Sequence, residues 1–129
     1  MRISSGVPGF DDLVEGGLLS NRLYVVSGPP GSGKTTFCSQ FITQGAKEGE
    51  NCVYITMHET KEELRRDMSG FEFGFDRAIK SDSIQFLNLV TEAGKRTITQ
   101  FGTDGGLTNR LIAFLESNDV DRAVIDSTM

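Results

Sequence analysis

Residues 28–36 read Gly-Pro-Pro-Gly-Ser-Gly-Lys-Thr-Thr, and no other stretch restricts the fold so tightly. Gly28, Gly33, Lys34 and Thr35 satisfy G-x-x-x-x-G-K-[ST], the phosphate-binding loop of nucleotide hydrolases and kinases. That loop needs a strand before it and a helix after it. Leu23-Tyr-Val-Val-Ser27 is short, apolar and rich in β-formers, the composition of a buried parallel strand. Beyond the loop, Phe37, Cys38, Phe41, Ile42 and Gly45 recur at helical spacing, and Gly49 stands where a C-cap would. The sequence therefore predicts strand, glycine loop and helix in the required order, which a glycine-rich turn matching by chance would lack.

The residue types fit the chemistry. A phosphate chain must be held without bulky side chains in the way, and Gly31, Ser32 and Gly33 let successive N–H groups turn inward as an anion nest. The first helical turn adds unpaired donors and the positive end of its dipole. Lys34 is expected to reach the β- and γ-phosphates, the Thr35 hydroxyl to ligate Mg²⁺, and Thr36 to bond the α-phosphate. Pro29 and Pro30 stiffen the entry to the loop, so less entropy is lost when a ligand orders it.

At 129 residues the chain is long enough for one domain with a real core. No apolar run approaches the ~20 residues of a membrane span, and Met1-Arg-Ile-Ser-Ser opens no secretory leader. Cys38 and Cys52 read as free thiols of a reducing cytoplasm. A net charge of −5 gives no support to general nucleic-acid binding, leaving Arg65-Arg66 as one local cationic pair. That pair reads more simply as the solvated side of a helix.

Taken in order, residues 5–19 are turn-rich, with Phe10, Leu13 and Val14 forming one short apolar helical face, a cap over a sheet edge. Residues 51–56 form a second strand, and Thr60 with Glu63 has capping-box spacing. Leu64, Met68 and Phe71 give the next helix its stripe, with Arg65, Arg66 and Asp67 off it and Gly70 ending it. A third strand covers 84–89. Residues 91–106 show no apolar period and read as a mobile loop. Leu107, Leu111, Phe114 and Leu115 restart a helix, and Ala123-Val-Ile-Asp126 is the last strand.

Gly6-Val-Pro-Gly-Phe-Asp-Asp-Leu13 followed by Gly16-Gly-Leu18, a strand and the glycine loop resembles the KaiC-type branch of the RecA superfamily of ATPases, with RadA-like recombinases as near relatives. The likeness continues through Asn51-Cys-Val-Tyr-Ile-Thr-Met-His-Glu-Thr60 and Arg122-Ala-Val-Ile-Asp-Ser127. It implies a three-layer α/β phosphate-loop fold with a mainly parallel sheet. It also implies ATP with Mg²⁺ as ligand, and a homo-oligomer, hexameric in the full-length family, with sites between subunits.

Asp126 ends an apolar strand in the Walker B position, where a carboxylate holds Mg²⁺ through water; otherwise it merely starts a turn. At the end of the second strand the family pattern Glu-Glu-Thr reads His58-Glu59-Thr60. The first glutamate of that pattern orients the attacking water in recombinases, and here it is His58, with Glu59 second. A carboxylate accepts a water proton better than an imidazole hemmed in by a strand, although a neutral His can orient water. Either Glu59 is the base, or hydrolysis is slow and binding is the point, or both are polar strand-end residues.

No Asn-Lys-x-Asp stretch marks a guanine site, the late loop offers only Lys95-Arg96 for a kinase lid, and no transporter signature helix occurs. Two readings stand: an ATPase acting within an oligomer, and a nucleotide-responsive regulatory or DNA-repair accessory subunit with little turnover. By the resemblance, residues 1–129 are the N-terminal portion of a RecA/KaiC-like domain. The sheet should run 84–89, 51–56, 123–126, a vacancy, then 23–27, because the family's intervening strand and trans-acting basic residues follow Walker B. The missing strand is expected from further chain or from a neighbouring molecule, rather than by direct pairing of 23–27 with 123–126. Hydrolysis by this length of chain is expected to be weak.

Overall fold

The computed structural model describes residues 2–20, 22, 24–29, 31–56, 59–88 and 106–126. Its elements are β1 (Arg2–Ile3), α1 (Phe10–Leu13), β2 (Leu18–Leu19), α2 (Lys34–Lys47), β3 (Cys52–Thr56), α3 (Lys61–Met68), α4 (Phe75–Lys80), β4 (Ile84–Asn88), α5 (Gly106–Ser117) and β5 (Arg122–Asp126). Strands β4, β3 and β5 form a parallel sheet in that order, with β3 central. Parallel neighbours require crossovers, and helices stand between each consecutive pair. Cys52 lies opposite Ile84 and Arg122, and Thr56 opposite Asn88 and Asp126. That register brings three polar strand ends, Asn88, Thr56 and Asp126, into one row.

Every residue of β3 is buried. Its alternation divides the core into two. Cys52 and Tyr54 pack with Ile84 and Val124 against Ile42 of α2, Leu64 and Met68 of α3, and Phe75 and Ile79 of α4. Val53 and Ile55 face the other way, onto Phe114 and Leu115 of α5. Helices on both faces make this a three-layer α/β arrangement, as expected. Full burial of each such apolar side chain stabilises the fold by roughly 1.5–3 kcal/mol, which concentrates stability in β3.

Helix ends follow the sequence closely. Thr60 accepts from the Glu63 N–H and Glu63 reaches back to the Thr60 N–H, the predicted capping box. Helix α2 runs out at Lys47, and Gly49 takes the left-handed turn beyond it (φ 79°). Gly45, inside α2, is fixed by space: a Cβ there would lie 2.6 Å from Arg122 Cδ and 2.8 Å from Cys52 Sγ. Helix and sheet approach too closely for a methyl group.

Arg122 is buried at the foot of β5. It bonds the Glu50 carboxylate at 2.5 Å and the main-chain oxygens of Ser4 and Phe41 at 2.7 and 2.9 Å. Its guanidinium also lies over the Phe41 ring, 4.8 Å from the centroid.

Four expectations need correction. Residues 24–27 form no strand, and Tyr24, Val25 and Val26 are exposed; among the described residues no strand pairs with the outer edge of β5. Composition supplied β-propensity there but no neighbour to complete the ladder. The anticipated apolar face at residues 10–14 does not form as a unit, since Leu13 points to solvent, and the N-terminal cap is held instead by a β1–β2 antiparallel pair. Phe71 lies beyond α3, which stops at Met68, and is exposed, tilted against Phe73. Finally, Arg65 is not simply solvated: it binds Asp76 at 2.7 Å. Leu89, the loop at 91–105, and Lys95 and Arg96 lie outside the described residues.

Candidate nucleotide site

The glycine loop folds as its sequence demands. Gly31 (φ 81°) and Gly33 (φ 97°) both take left-handed backbone conformations that a side chain would resist. Gly33 is also the N-cap of α2 and carries no side chain to hydrogen-bond the first-turn N–H groups, so Lys34, Thr35 and Thr36 open the helix with donors free of side-chain capping. The Ser32 N–H bonds the Pro29 carbonyl at 3.2 Å, closing the turn. Lys34 has an internal partner that the sequence did not reveal: its ammonium donates to the Gly28 carbonyl at 2.6 Å.

The sheet brings the second half of the site to the first. Asp126 is the last residue of β5, and its Oδ2 accepts from Thr35 Oγ1 at 3.1 Å. These residues are 91 positions apart in sequence. The same Oδ2 accepts from the buried Tyr54 hydroxyl at 2.9 Å. Burial and then the Asp126 charge push the Tyr54 hydroxyl far up from its ordinary pKa, so it remains a donor. Cys38, one helical turn beyond Thr35, is pushed up to about 11 by burial and by Asp126; it is an inert thiol here, and Cys52 is likewise free and raised to about 12.

Glu59 sits just past β3. Its main-chain carbonyl is gripped from two sides, by the Thr56 hydroxyl at 2.7 Å and by the Asn88 amide. The two clamping residues are register partners on neighbouring strands. Partial burial, then the charges of Asp67 and Asp126, raise the Glu59 pKa above its ordinary value. A carboxylate so placed holds a proton more readily than one in water. His58 lies outside the described residues.

Of the residues singled out from sequence, Gly31, Ser32, Gly33, Lys34, Thr35 and Thr36 lie together, and Asp126 joins them through Thr35. Glu59 is near enough to Asp126 to feel its charge. Tyr54, Thr56, Asn88 and Asp67 were missed. Tyr54 carried one faint signal, a hydroxyl at the centre of a mostly apolar strand; Asn88, in a strand that also holds Gln85, carried none. An open surface concavity of about 700 Å³, bordered by Phe71, Asp76, Arg77 and Lys80, contains none of these residues; phosphate chemistry points to the glycine loop instead.

A hydroxyl and a carboxylate meeting at a helix N-terminus form a hard-oxygen donor pair suited to Mg²⁺, which takes few protein ligands and keeps water and phosphate oxygens for the rest. Among the described residues, no group of three or more His, Cys, Asp or Glu side chains could hold a metal by itself. No helix among the described residues is long and apolar enough to cross a membrane.

A parallel sheet with a glycine loop, a following helix and a strand-end aspartate defines a phosphate-loop nucleotide-binding protein with a RecA-like fold. The chain belongs to the KaiC family of ATPases: the family described as "ATPase: KaiC" matches residues 3–129. It is 33% identical to the circadian clock protein KaiC3 of Synechocystis over 98% of this chain and 25% of that protein. It is 28% identical to a UPF0273 protein of Thermotoga maritima, over 98% of this chain and 55% of that one. The chain thus spans about a quarter to a half of the length of these relatives. The crystal structure of a KaiC-like protein from Pyrococcus horikoshii OT3 superposes with a TM-score of 0.66 at 27% identity, covering 99% of this chain and 70% of that one.

Proposed function

We propose that residues 1–129 are the N-terminal portion of a RecA/KaiC-like domain that binds Mg-ATP and hydrolyses it slowly within a homo-oligomer. The observation that carries this reading is the meeting of Thr35 and Asp126 beside the glycine loop. The N–H groups of Gly31, Ser32, Gly33 and the first turn of α2 would hold the phosphates, with Thr36 at the α-phosphate. Lys34 exchanges the Gly28 carbonyl for phosphate oxygens, a move along its own side chain that needs no refolding. Thr35 and Asp126 would hold Mg²⁺, which neutralises charge on the phosphates.

Glu59 is the preferred acceptor for the proton of attacking water, since its backbone is fixed and burial with neighbouring acids raises its proton affinity above that of a free carboxylate. His58 is the alternative. Calorimetric titration with Mg-ATP, followed by phosphate release per bound nucleotide, tests the reading. Binding with slow release is expected, Glu59→Gln keeping affinity and losing turnover; absence of Mg-ATP binding would overturn it. Sedimentation with and without Mg-ATP tests the oligomer.

A second reading, a nucleotide-responsive regulatory or DNA recombination accessory subunit, draws on His58 standing where the family pattern has its first glutamate. Under it, His58→Glu raises turnover well above that of the starting protein.

A further inference from the structure

Tyr54 presents a puzzle of composition. Its side chain is wholly buried in the centre of the sheet, where phenylalanine would fill the same space. The ring is fixed on two sides, edge-on to Phe75 at 5.9 Å and stacked on Phe86 at 6.1 Å. The position of its hydroxyl is therefore set by the hydrophobic core and not by solvent. That hydroxyl reaches Asp126 Oδ2, the same oxygen that Thr35 reaches. Asp126 terminates β5, where backbone pairing alone leaves its side-chain torsions unset. Two donors from different elements, β3 and α2, converge on one oxygen and define the plane of the carboxylate.

We infer that Tyr54 is a positioning residue, which presents the Asp126 carboxylate in one orientation to the cation that accompanies bound nucleotide. This rests on the reading of Thr35 and Asp126 as the Mg²⁺ pair. Tyr54 does not touch nucleotide or metal in this scheme. It acts through Asp126, so its hydroxyl should matter for the Mg²⁺-dependent part of binding and for nothing else.

The test is a titration of a fluorescent ATP analogue with Mg²⁺, and with EDTA in its place, on the whole chain. Tyr54→Phe, Asp126→Asn and the double variant are compared with the starting protein. In EDTA, Tyr54→Phe is expected to bind like the starting protein. It should need about ten- to hundredfold more Mg²⁺ for the half-maximal response, the scale of one hydrogen bond to a charged group. In the Asp126→Asn background the same change should add nothing, because residues acting as one unit are not additive. An unchanged Mg²⁺ midpoint in Tyr54→Phe would overturn the inference, as would a shift that adds in full to that of Asp126→Asn. A lowered melting temperature with an unchanged midpoint would assign Tyr54 to packing alone. If the starting protein shows no Mg²⁺ dependence, the metal reading falls, and this inference with it.

Fluorotyrosine incorporation gives a second readout that needs no change of core volume. Tyr24 and Tyr54 are the two tyrosines, so Tyr24→Phe assigns the resonance. The Tyr54 signal should move on adding Mg-ATP and stay in place with ATP in EDTA; the reverse would overturn the inference.

Discussion

Tyr24-Val25-Val26 and Val53-Tyr54-Ile55 are built from nearly the same side chains, yet Val25 is 82% exposed while Ile55 is 0% exposed. The second triplet has a parallel neighbour on each side and helices over both faces. The first precedes the glycine loop and has no strand partner among the described residues. β-propensity measures fit to a pleated, packed surface and not an intrinsic backbone preference. Valine-rich sequence becomes a strand where neighbours supply the ladder. The comparison also separates two duties: the sheet side carries stability, while the loop side carries the ligand chemistry we propose.

The sharpest way to break that comparison is a matched pair of truncations. Ile55→Ala should cost about 2–5 kcal/mol, the range for buried large-to-small changes. Val25→Ala should stay within about 0.5 kcal/mol, as surface changes do. Denaturant melts of both would settle it, and similar losses would show that residues 24–26 are packed in solution.

Next in size, Lys34→Ala should weaken nucleotide binding by about a hundredfold or more, since charge-assisted contacts are worth on the order of 2–3 kcal/mol. Its melting temperature should barely move, because the hydrogen bond that its ammonium gives up, to the Gly28 carbonyl, is solvent-exposed. Calorimetry with Mg-ATP reads the first effect and a thermal melt the second. Unchanged affinity would remove the loop from the site.

Gly45→Ala probes the seam between the two sides. Overpacking against Arg122 and Cys52 should destabilise by about 1–3 kcal/mol, against the small gain that alanine brings to an exposed helix. A melt showing stabilisation would mean that helix and sheet are less closely packed.

The smallest expected effect is at Glu59. Burial is the first cause of its raised pKa, followed by Asp67 and Asp126. A carboxyl with a folded pKa above its unfolded value penalises folding once ionised. That penalty is absent below the unfolded value and grows as pH rises through the folded value. Glu59→Gln should therefore raise the melting temperature slightly at neutral pH, with the gain fading in acid. A gain that instead grew in acid would contradict the assigned direction.

How much of this was legible depended on whether the cause was local. The capping box of Thr60 and Glu63, the glycine turn at Gly49 and the burial of β3 follow from nearest neighbours and periodicity. So does the helix after the loop. The strand order followed from the family resemblance. Helix α4 was not foreseen, because six residues after a left-handed Gly74 give too few turns for a period to show. Strands β1 and β2 have two residues each and leave no pattern. Within the site, Thr35 and Asp126 were readable from motif spacing. Tyr54 and Asn88 were not, since each acts through a tertiary contact that no single segment encodes; the Gly28 carbonyl is local to the loop, but the motif assigns Lys34 to phosphate and says nothing of its partner without one.

Arg122 has a consequence for the order of events during folding. Its partners Glu50, Phe41 and Ser4 lie 72, 81 and 118 positions away along the chain. Contacts of such separation require large loops to close before they return any energy. The guanidinium cannot collect all of them until Ser4 has come to rest beside β5. Arg122 should accordingly act as a late latch: Arg122→Met is expected to speed unfolding while leaving the folding rate nearly unchanged, the signature of a contact absent from the transition state. Stopped-flow folding and unfolding arms would show it, and a loss confined to the folding arm would place the latch at the start of folding instead.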